Sequence, residues 1–290
     1  MKPSAFKYVK PDSIRSVLEI ISTNENVKIL AGGQSLMPMI NMRFVLPDVV
    51  LDLSQIPGMN EIKFSGESIK IGAMTRQREI IESKLLIKNC PLFVEATSLI
   101  GHRQTRNWGT IGGSLCHLDP SAELPVVARA LDAVIHIESI RGKRKLAVAD
   151  LPLFYMTPAI EPDELVTEIE FTPWSAGHGW GFFEFSRRVG DFAIVSAAAL
   201  IELERSKTVC RASLVLGGVG SGPVRCKEAE EILLNYSEPD LIEKVCDSLR
   251  NIEVGGDYQA STTYRRHLIG VMTKRALRTA FERAQQPVIS

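Results

Sequence analysis

Short apolar runs punctuated by glycine and proline, with no long amphipathic repeat, set the pattern of this chain. Residues 27–30 form an apolar run that stops at Ala31-Gly32-Gly33-Gln34-Ser35, which predicts a strand entering a glycine turn. Residues 36–43 follow as a predicted short helix, with Ser35 as its N-cap and Pro38 tolerated in the first turn. Strands are predicted at 49–53, closed by Pro57 and Gly58, and at 69–73, and residues 92–99 read as helical. A second glycine break at 109–114 precedes a helix expected to begin at Asp119-Pro120, whose Leu124, Val127, Ala128 and Leu131 share one face. Strands at 133–137 and 164–171 complete the first half.

The stretch 173–179, Pro-Trp-Ser-Ala-Gly-His-Gly, has linker composition and marks the expected domain boundary. Strands are predicted beyond it at 181–186, 192–203 and 212–216, and helices at 227–234, 239–249 and 262–283. The last helix carries Tyr264, Leu268, Val271, Met272 and Leu277 near one face. No internal repeat of fixed period is present. This order of elements predicts an α+β protein rather than a regular βαβ winding.

Composition narrows the class. With 290 residues, 45% hydrophobic and 23% charged, the chain is neither a disordered segment nor a coiled coil. A chain of this size buries roughly three quarters of its unfolded surface. Lys+Arg and Asp+Glu both number 34, so no strongly basic surface for nucleic acid is indicated. No apolar run reaches the roughly eighteen residues of a membrane span. Lys2, Lys7 and Lys10 are followed by no apolar stretch, so the expected location is cytoplasmic with no signal peptide. Five cysteines (Cys90, Cys116, Cys210, Cys226, Cys246) form no CxxC pair, which argues against a disulfide framework or a self-contained zinc or iron–sulfur site. Their thiols are expected to be buried and inert.

Candidate chemistry centres on the two glycine segments. Neither GxGxxG nor GxxxxGK[ST] is present. Instead Gly32-Gly33-Gln34-Ser35 and Gly112-Gly113-Ser114 read as two loops of one shape, each following an apolar strand. Paired glycines permit positive φ, and successive N–H groups in such a turn form a concave anion site. Ordinary tight turns use the same residues, and both readings stay open. His102, Arg103 and Arg106 precede the second segment and would add positive charge, or simply a solvated basic face. Cys116-His117 lacks the further ligands that close a metal site. Arg187 and Arg188 also read as plain ion-pair partners of Asp191 or Glu184. No Ser/His/Asp, paired-carboxylate or HExxH arrangement supports hydrolysis.

At these residues the sequence resembles a family. Ala31-Gly32-Gly33-Gln34-Ser35-Leu36 and Thr110-Ile111-Gly112-Gly113-Ser114-Leu115 look like the two flavin-binding motifs of the FAD-binding medium subunits of molybdenum hydroxylases. The likeness is to the carbon monoxide dehydrogenase and quinoline oxidoreductase medium chains and, more broadly, to the xanthine dehydrogenase FAD subunits. It extends over Phe6-Lys7-Tyr8, Pro11, Ile71-Gly72-Ala73-Met74-Thr75 and Arg187-Arg188-Val189-Gly190-Asp191-Phe192-Ala193.

The resemblance implies a two-lobed FAD-binding domain of the PCMH type over residues 1–175, with lobes of about 1–56 and 57–175. A carbon monoxide dehydrogenase flavoprotein C-terminal-like domain would follow over 176–290, with a three-stranded antiparallel sheet and helices. It implies non-covalent FAD, its pyrophosphate and ribose clasped by Ala31, Gly32, Gly33, Gln34 and Ser35 and by Thr110, Ile111, Gly112, Gly113 and Ser114. Glu123 matches an acidic position on the adenosine side, Ile100 and Val166 match apolar contacts, and Arg188 and Asp191 match positions beside the isoalloxazine ring. Some relatives have His where Gln34 stands. Molybdopterin and [2Fe–2S] clusters are expected only on partners, a large and a small subunit, in a dimer of heterotrimers. The expected function is electron transfer from those clusters through FAD to an external acceptor. A self-contained FAD-dependent oxidase of the same superfamily and a nucleotide-binding scaffold are the rival readings.

Overall fold

The computed structural model of the chain describes residues 2–235 and 240–286. The first segment runs β1 (Lys7–Val9), α1 (Ile14–Thr23), β2 (Val27–Leu30), α2 (Leu36–Asn41) and β3 (Val49–Asp52). Its strands form a parallel sheet in the order β1-β3-β2. Helix α1 starts where the Ser13 hydroxyl accepts from the Ser16 N–H, and it buries Val17, Leu18 and Ile21 on one stripe.

A second sheet follows. Strands β4 (Ile62–Ser65) and β5 (Ser68–Gly72) form a hairpin, and six helices come next. These are α3 (Gln77–Glu82), α4 (Lys84–Asn89), α5 (Pro91–Leu99), α6 (Arg103–Arg106), α7 (Ile111–His117) and α8 (Glu123–Ala130). Strands β6 (Val134–Ser139) and β7 (Gly142–Ala147), the short hairpin β8 (Pro152–Phe154) and β9 (Thr157–Pro158), and β10 (Leu165–Phe171) complete the half. The sheet order is β4-β5-β10-β6-β7, antiparallel throughout.

The third sheet takes β11 (Gly179–Phe185), β12 (Val195–Leu203), β13 (Val209–Gly217) and the two-residue β14 (Val224–Arg225), in sequence order and antiparallel. The three long strands are those expected, and β14 adds a short fourth. Helices α9 (Lys227–Asn235), α10 (Leu241–Ser248) and α11 (Thr262–Ala284) cover one face. Strand alternation sends Val195, Ala197, Ala199, Ile201, Leu214 and Leu216 beneath these helices. Phe182, Ala198, Leu200 and Val215, on the opposite face, complete the core of the first half. Glu95 on α5 locks the junction. It accepts from Trp180 Nε1 at 2.9 Å and from Arg283 Nη1 at 2.6 Å, and the Arg283 guanidinium lies over the Trp180 ring.

Several expectations need correction. The helix anticipated from Asp119-Pro120 begins at Glu123, because Asp119 instead accepts from the Ser121 and Ala122 N–H groups and closes a turn. The strand anticipated from Phe192 begins at Val195. The expected start of a helix at Pro239 lies outside the described residues, and the described helix begins at Leu241. Cys116 and Cys210 are exposed, not buried. No helix among the described residues is long and apolar enough to cross a membrane.

Candidate functional site

The first glycine segment leaves the C-terminal end of β2, an edge strand of the parallel sheet, and ligand-binding turns of parallel sheets lie at that end of the strands. Gly33 adopts φ +70°, the left-handed conformation that glycine permits. Ser35 follows in a right-handed conformation at the start of α2, without a side-chain cap bond. The Gly33, Gln34 and Ser35 N–H groups find no backbone acceptor among the described residues. Three successive N–H groups without backbone acceptors, headed by a left-handed glycine, make a concave anion nest.

The second segment is built differently, which corrects the expectation of two loops of one shape. Gly112, Gly113 and Ser114 lie inside α7, and no strand precedes them. Thr110 caps this helix, its hydroxyl accepting from the Gly113 N–H at 3.1 Å. The Ile111, Gly112 and Ser114 N–H groups are also taken, by the carbonyls of Thr75, Ala73 and Thr110. No nest is left there. Gly112 serves close approach, since a Cβ would lie 2.7 Å from Ala73 O.

The two segments nevertheless meet. A Cβ on Gly32 would lie 2.1 Å from Trp108 O, and one on Gly113 would face Ala31 Cβ at 3.6 Å. Beside this junction is a cavity of about 390 Å³, lined by Ala31–Gln34, Lys10, Met37, Asp52, Arg76 and Trp108 among others. Arg76 donates to Asn107 O at 2.6 Å and lies 4.6 Å from the centroid of the exposed Trp108 ring. Burial pushes the Asp52 carboxyl up, but donation from the Tyr8 hydroxyl and from Ser54, with Lys10 nearby, leaves it below the usual carboxylate range.

The cavity therefore joins free N–H groups, two cations and an exposed aromatic face. These features suit a bulky anion bearing a planar group, and FAD fits that description. Sequence reasoning missed Lys10, Asp52, Arg76 and Trp108. Lys10, Arg76 and Trp108 each sit within two residues of a quoted stretch, the one signal that was available.

The other expected residues lie around this centre and do not line the cavity. Thr110 and Ile111 are buried at the start of α7. Val166 is buried on β10 at a bulge, next to Thr167, whose carbonyl accepts from the Ala73 N–H. Ile100 ends α5, and its carbonyl accepts from Arg106, which pins the turn before α6. Arg188 and Asp191 are exposed on the β11–β12 turn. That turn packs on the first half, since a Cβ on Gly190 would lie 2.5 Å from the His102 ring. The plain ion pairs considered for Arg187 and Arg188 are not formed. Arg187 donates to Gln259 O, and Glu184 faces Glu123. Glu123 is buried at the first residue of α8, and burial together with the Glu184 carboxyl raises its pKa well above the usual range.

Comparison with known proteins gives the same picture at the level of family. Residues 4–174 match the FAD binding domain in molybdopterin dehydrogenase, and residues 180–280 match the CO dehydrogenase flavoprotein C-terminal domain. The chain is 38% identical over 288 residues to the 6-hydroxypseudooxynicotine dehydrogenase complex subunit alpha of Paenarthrobacter nicotinovorans, covering 98% of this chain and 97% of that one. A carbon monoxide dehydrogenase chain from Hydrogenophaga pseudoflava superposes with TM-score 0.94 at 31% identity, covering 98% of this chain and 99% of that one. A chain of quinoline 2-oxidoreductase from Pseudomonas putida 86 gives 0.93 at 28% identity, covering 99% and 100%.

Proposed function

Because the chain belongs to the FAD-binding medium subunits of the molybdenum hydroxylases, we propose that its first glycine turn holds the FAD pyrophosphate. The protein is an oxidoreductase subunit that binds FAD and transfers electrons within such a complex. The observation that carries the site assignment is the nest at Gly33, Gln34 and Ser35, whose N–H groups have no backbone acceptor among the described residues. Bound FAD supplies the redox chemistry, because its ring takes up and gives off electrons singly or in pairs.

The chain's own residues bind and orient. The nest donates to phosphate oxygens, and Lys10 and Arg76 offset their charge against Asp52. The Thr110-capped segment through Ser114 braces the turn from behind. Ile100 and Val166 provide apolar contact, and Glu123 accepts from ribose hydroxyls. Arg188 and Asp191 stand at the isoalloxazine edge, where the turn carrying them is held against His102. The FAD-binding domain is assigned to 1–175 and the C-terminal domain to 176–290.

Electrons arrive from [2Fe–2S] clusters on a small subunit, fed by a large molybdopterin subunit, in a cytoplasmic dimer of heterotrimers. Purification from the natural source tests this reading. The expected material contains this chain, both partners and FAD equimolar with the chain, released by acid. A colourless chain purified alone overturns it.

A further inference from the structure

The cavity beside the first glycine turn holds two groups for which phosphate binding has no use. The parallel sheet ends there. Val9 of β1 pairs with Leu51 of β3, and Leu30 of β2 pairs with Asp52. The three strand ends therefore lie side by side, with Asp52 on the central strand between Lys10 and Ala31. Both oxygens of the Asp52 carboxylate are held. Oδ2 accepts from the Tyr8 hydroxyl, and Oδ1 accepts from the Ser54 N–H at 2.8 Å. Each oxygen keeps a further lone pair. A fixed carboxylate beside a phosphate cradle repels the phosphate, so it calls for a hydrogen-bond donor on the ligand itself.

The second group is Trp108. Its backbone touches the glycine turn, since a Cβ on Gly32 would lie 2.1 Å from Trp108 O. Its ring is 57% exposed at the cavity wall, and the Arg76 guanidinium takes one face, 4.6 Å from the centroid. The other face is left for a flat ligand group. A flat ring that also carries a donor describes adenine, whose face stacks on aromatic side chains and whose exocyclic amine offers two N–H groups. The isoalloxazine ring fits less well. Its one N–H is flanked by two carbonyls, which the carboxylate would repel. Every described residue lining the cavity lies at or before 108, whereas Arg188 and Asp191 stand on the β11–β12 turn.

We propose that this cavity is an adenine pocket, in which Trp108 stacks on the base and Asp52 accepts from its amino group, so that the site selects an adenine dinucleotide. This rests on the placement of the pyrophosphate at the Gly33 nest proposed above. The division of labour is chemical. The nest grips what every diphosphate shares, Trp108 grips the face of any base, and Asp52 distinguishes the amine.

The test is calorimetric titration of the full chain, after flavin removal, with inorganic pyrophosphate, ADP and purine riboside 5′-diphosphate, which lacks only the amine. The wild type should bind ADP about tenfold more tightly than the amine-free probe. Asp52→Ala should bring the two within about twofold, and Asp52→Asn, which keeps a neutral acceptor, should fall between. Retained affinity for the amine-free probe shows that these variants are folded. Trp108→Leu should weaken ADP about tenfold while pyrophosphate stays within about twofold, and Trp108→Phe should recover most of the loss. Equal binding of ADP and the amine-free probe to the wild type, or an undiminished preference in Asp52→Ala, overturns the role of Asp52. Full ADP affinity in Trp108→Leu overturns the stacking. In each case pyrophosphate still binds and the nest stands. A wild type that binds neither pyrophosphate nor ADP removes the nest, and the pocket with it.

Discussion

Gly32→Ala tests the cradle most directly, because the new methyl has nowhere to go. Its Cβ would lie 2.1 Å from Trp108 O, 2.7 Å from Trp108 C and 2.8 Å from Gly109 Cα. Ordinary contact between such atoms needs about 3.5 Å, so the carbonyl must withdraw by more than about 1 Å. The opposing segment cannot yield freely. The Trp108 and Gly109 N–H groups both donate to Thr105 O, Gly109 O accepts from the Gln77 N–H, and Arg76 holds Asn107 O. Forcing this contact costs about 3 kcal/mol, the upper range for overpacking, and it opens the junction that braces the nest. Carried into binding, that cost lowers FAD affinity roughly a hundredfold. Gly33→Ala is the control. Its Cβ would meet only the side-chain ends Leu30 Cδ1 at 3.0 Å and Met37 Cγ at 3.2 Å. What remains is left-handed strain of about 1–2 kcal/mol, a loss of roughly five- to thirtyfold. Flavin titration and thermal unfolding of both variants decide the matter. Wild-type affinity in Gly32→Ala, or a larger loss in Gly33→Ala, refutes the reasoning.

Glu95→Gln should destabilise the chain by about 2 kcal/mol, because the Arg283 and Trp180 bonds lose their charged acceptor; denaturant midpoints check this, and an unchanged midpoint rejects the lock. Glu170 has its pKa lowered to about 2, first by the Ser68 hydroxyl and then by His136 and Lys145 against burial. Its contribution to stability is present above the ordinary value of 4.5 and is lost as pH falls toward about 2, so the stability gap between wild type and Glu170→Gln should close over that range. Arg188→Gln should lower the flavin potential and Asp191→Asn should raise it, each by up to about 30 mV given their exposure to solvent; spectroelectrochemical titration giving equal potentials removes both from the flavin edge.

How far the sequence revealed the site depended on whether the deciding interactions were local. Gly33 was legible because a glycine pair after an apolar strand asks for positive φ, and φ +70° is found. Gly112-Gly113 carried the same letters and was misread, because what starts α7 is the Thr110 hydroxyl on the Gly113 N–H. A threonine before an apolar residue was the overlooked sign of that cap. The cavity wall was hidden for a different reason. Lys10, Asp52, Arg76 and Trp108 come from four separate segments, and no periodicity links them. Glu184 was weighed as a surface partner of arginine, although alternation along β11 turns it to the inner face with Phe182.

The third sheet explains why such a site depends on both halves of the chain. With apolar residues on each face, β11 to β13 cannot be covered by α9, α10 and α11 alone, and the uncovered face is completed by the first half. Glu95 fixes that packing across 188 positions of sequence, through Arg283 at the far end of α11. The turn between β11 and β12 is then no free loop. Its Gly190 lies against His102 and Gly101, so the placement of Arg188 and Asp191 follows from the seating of the whole sheet. Glu184 meets Glu123 through that same face, near the other end of α7 from Thr110. A cofactor held by the first glycine turn and read at its two ends by Glu123 and Arg188 would therefore be lost when the sheet is displaced, even with every residue of the nest intact.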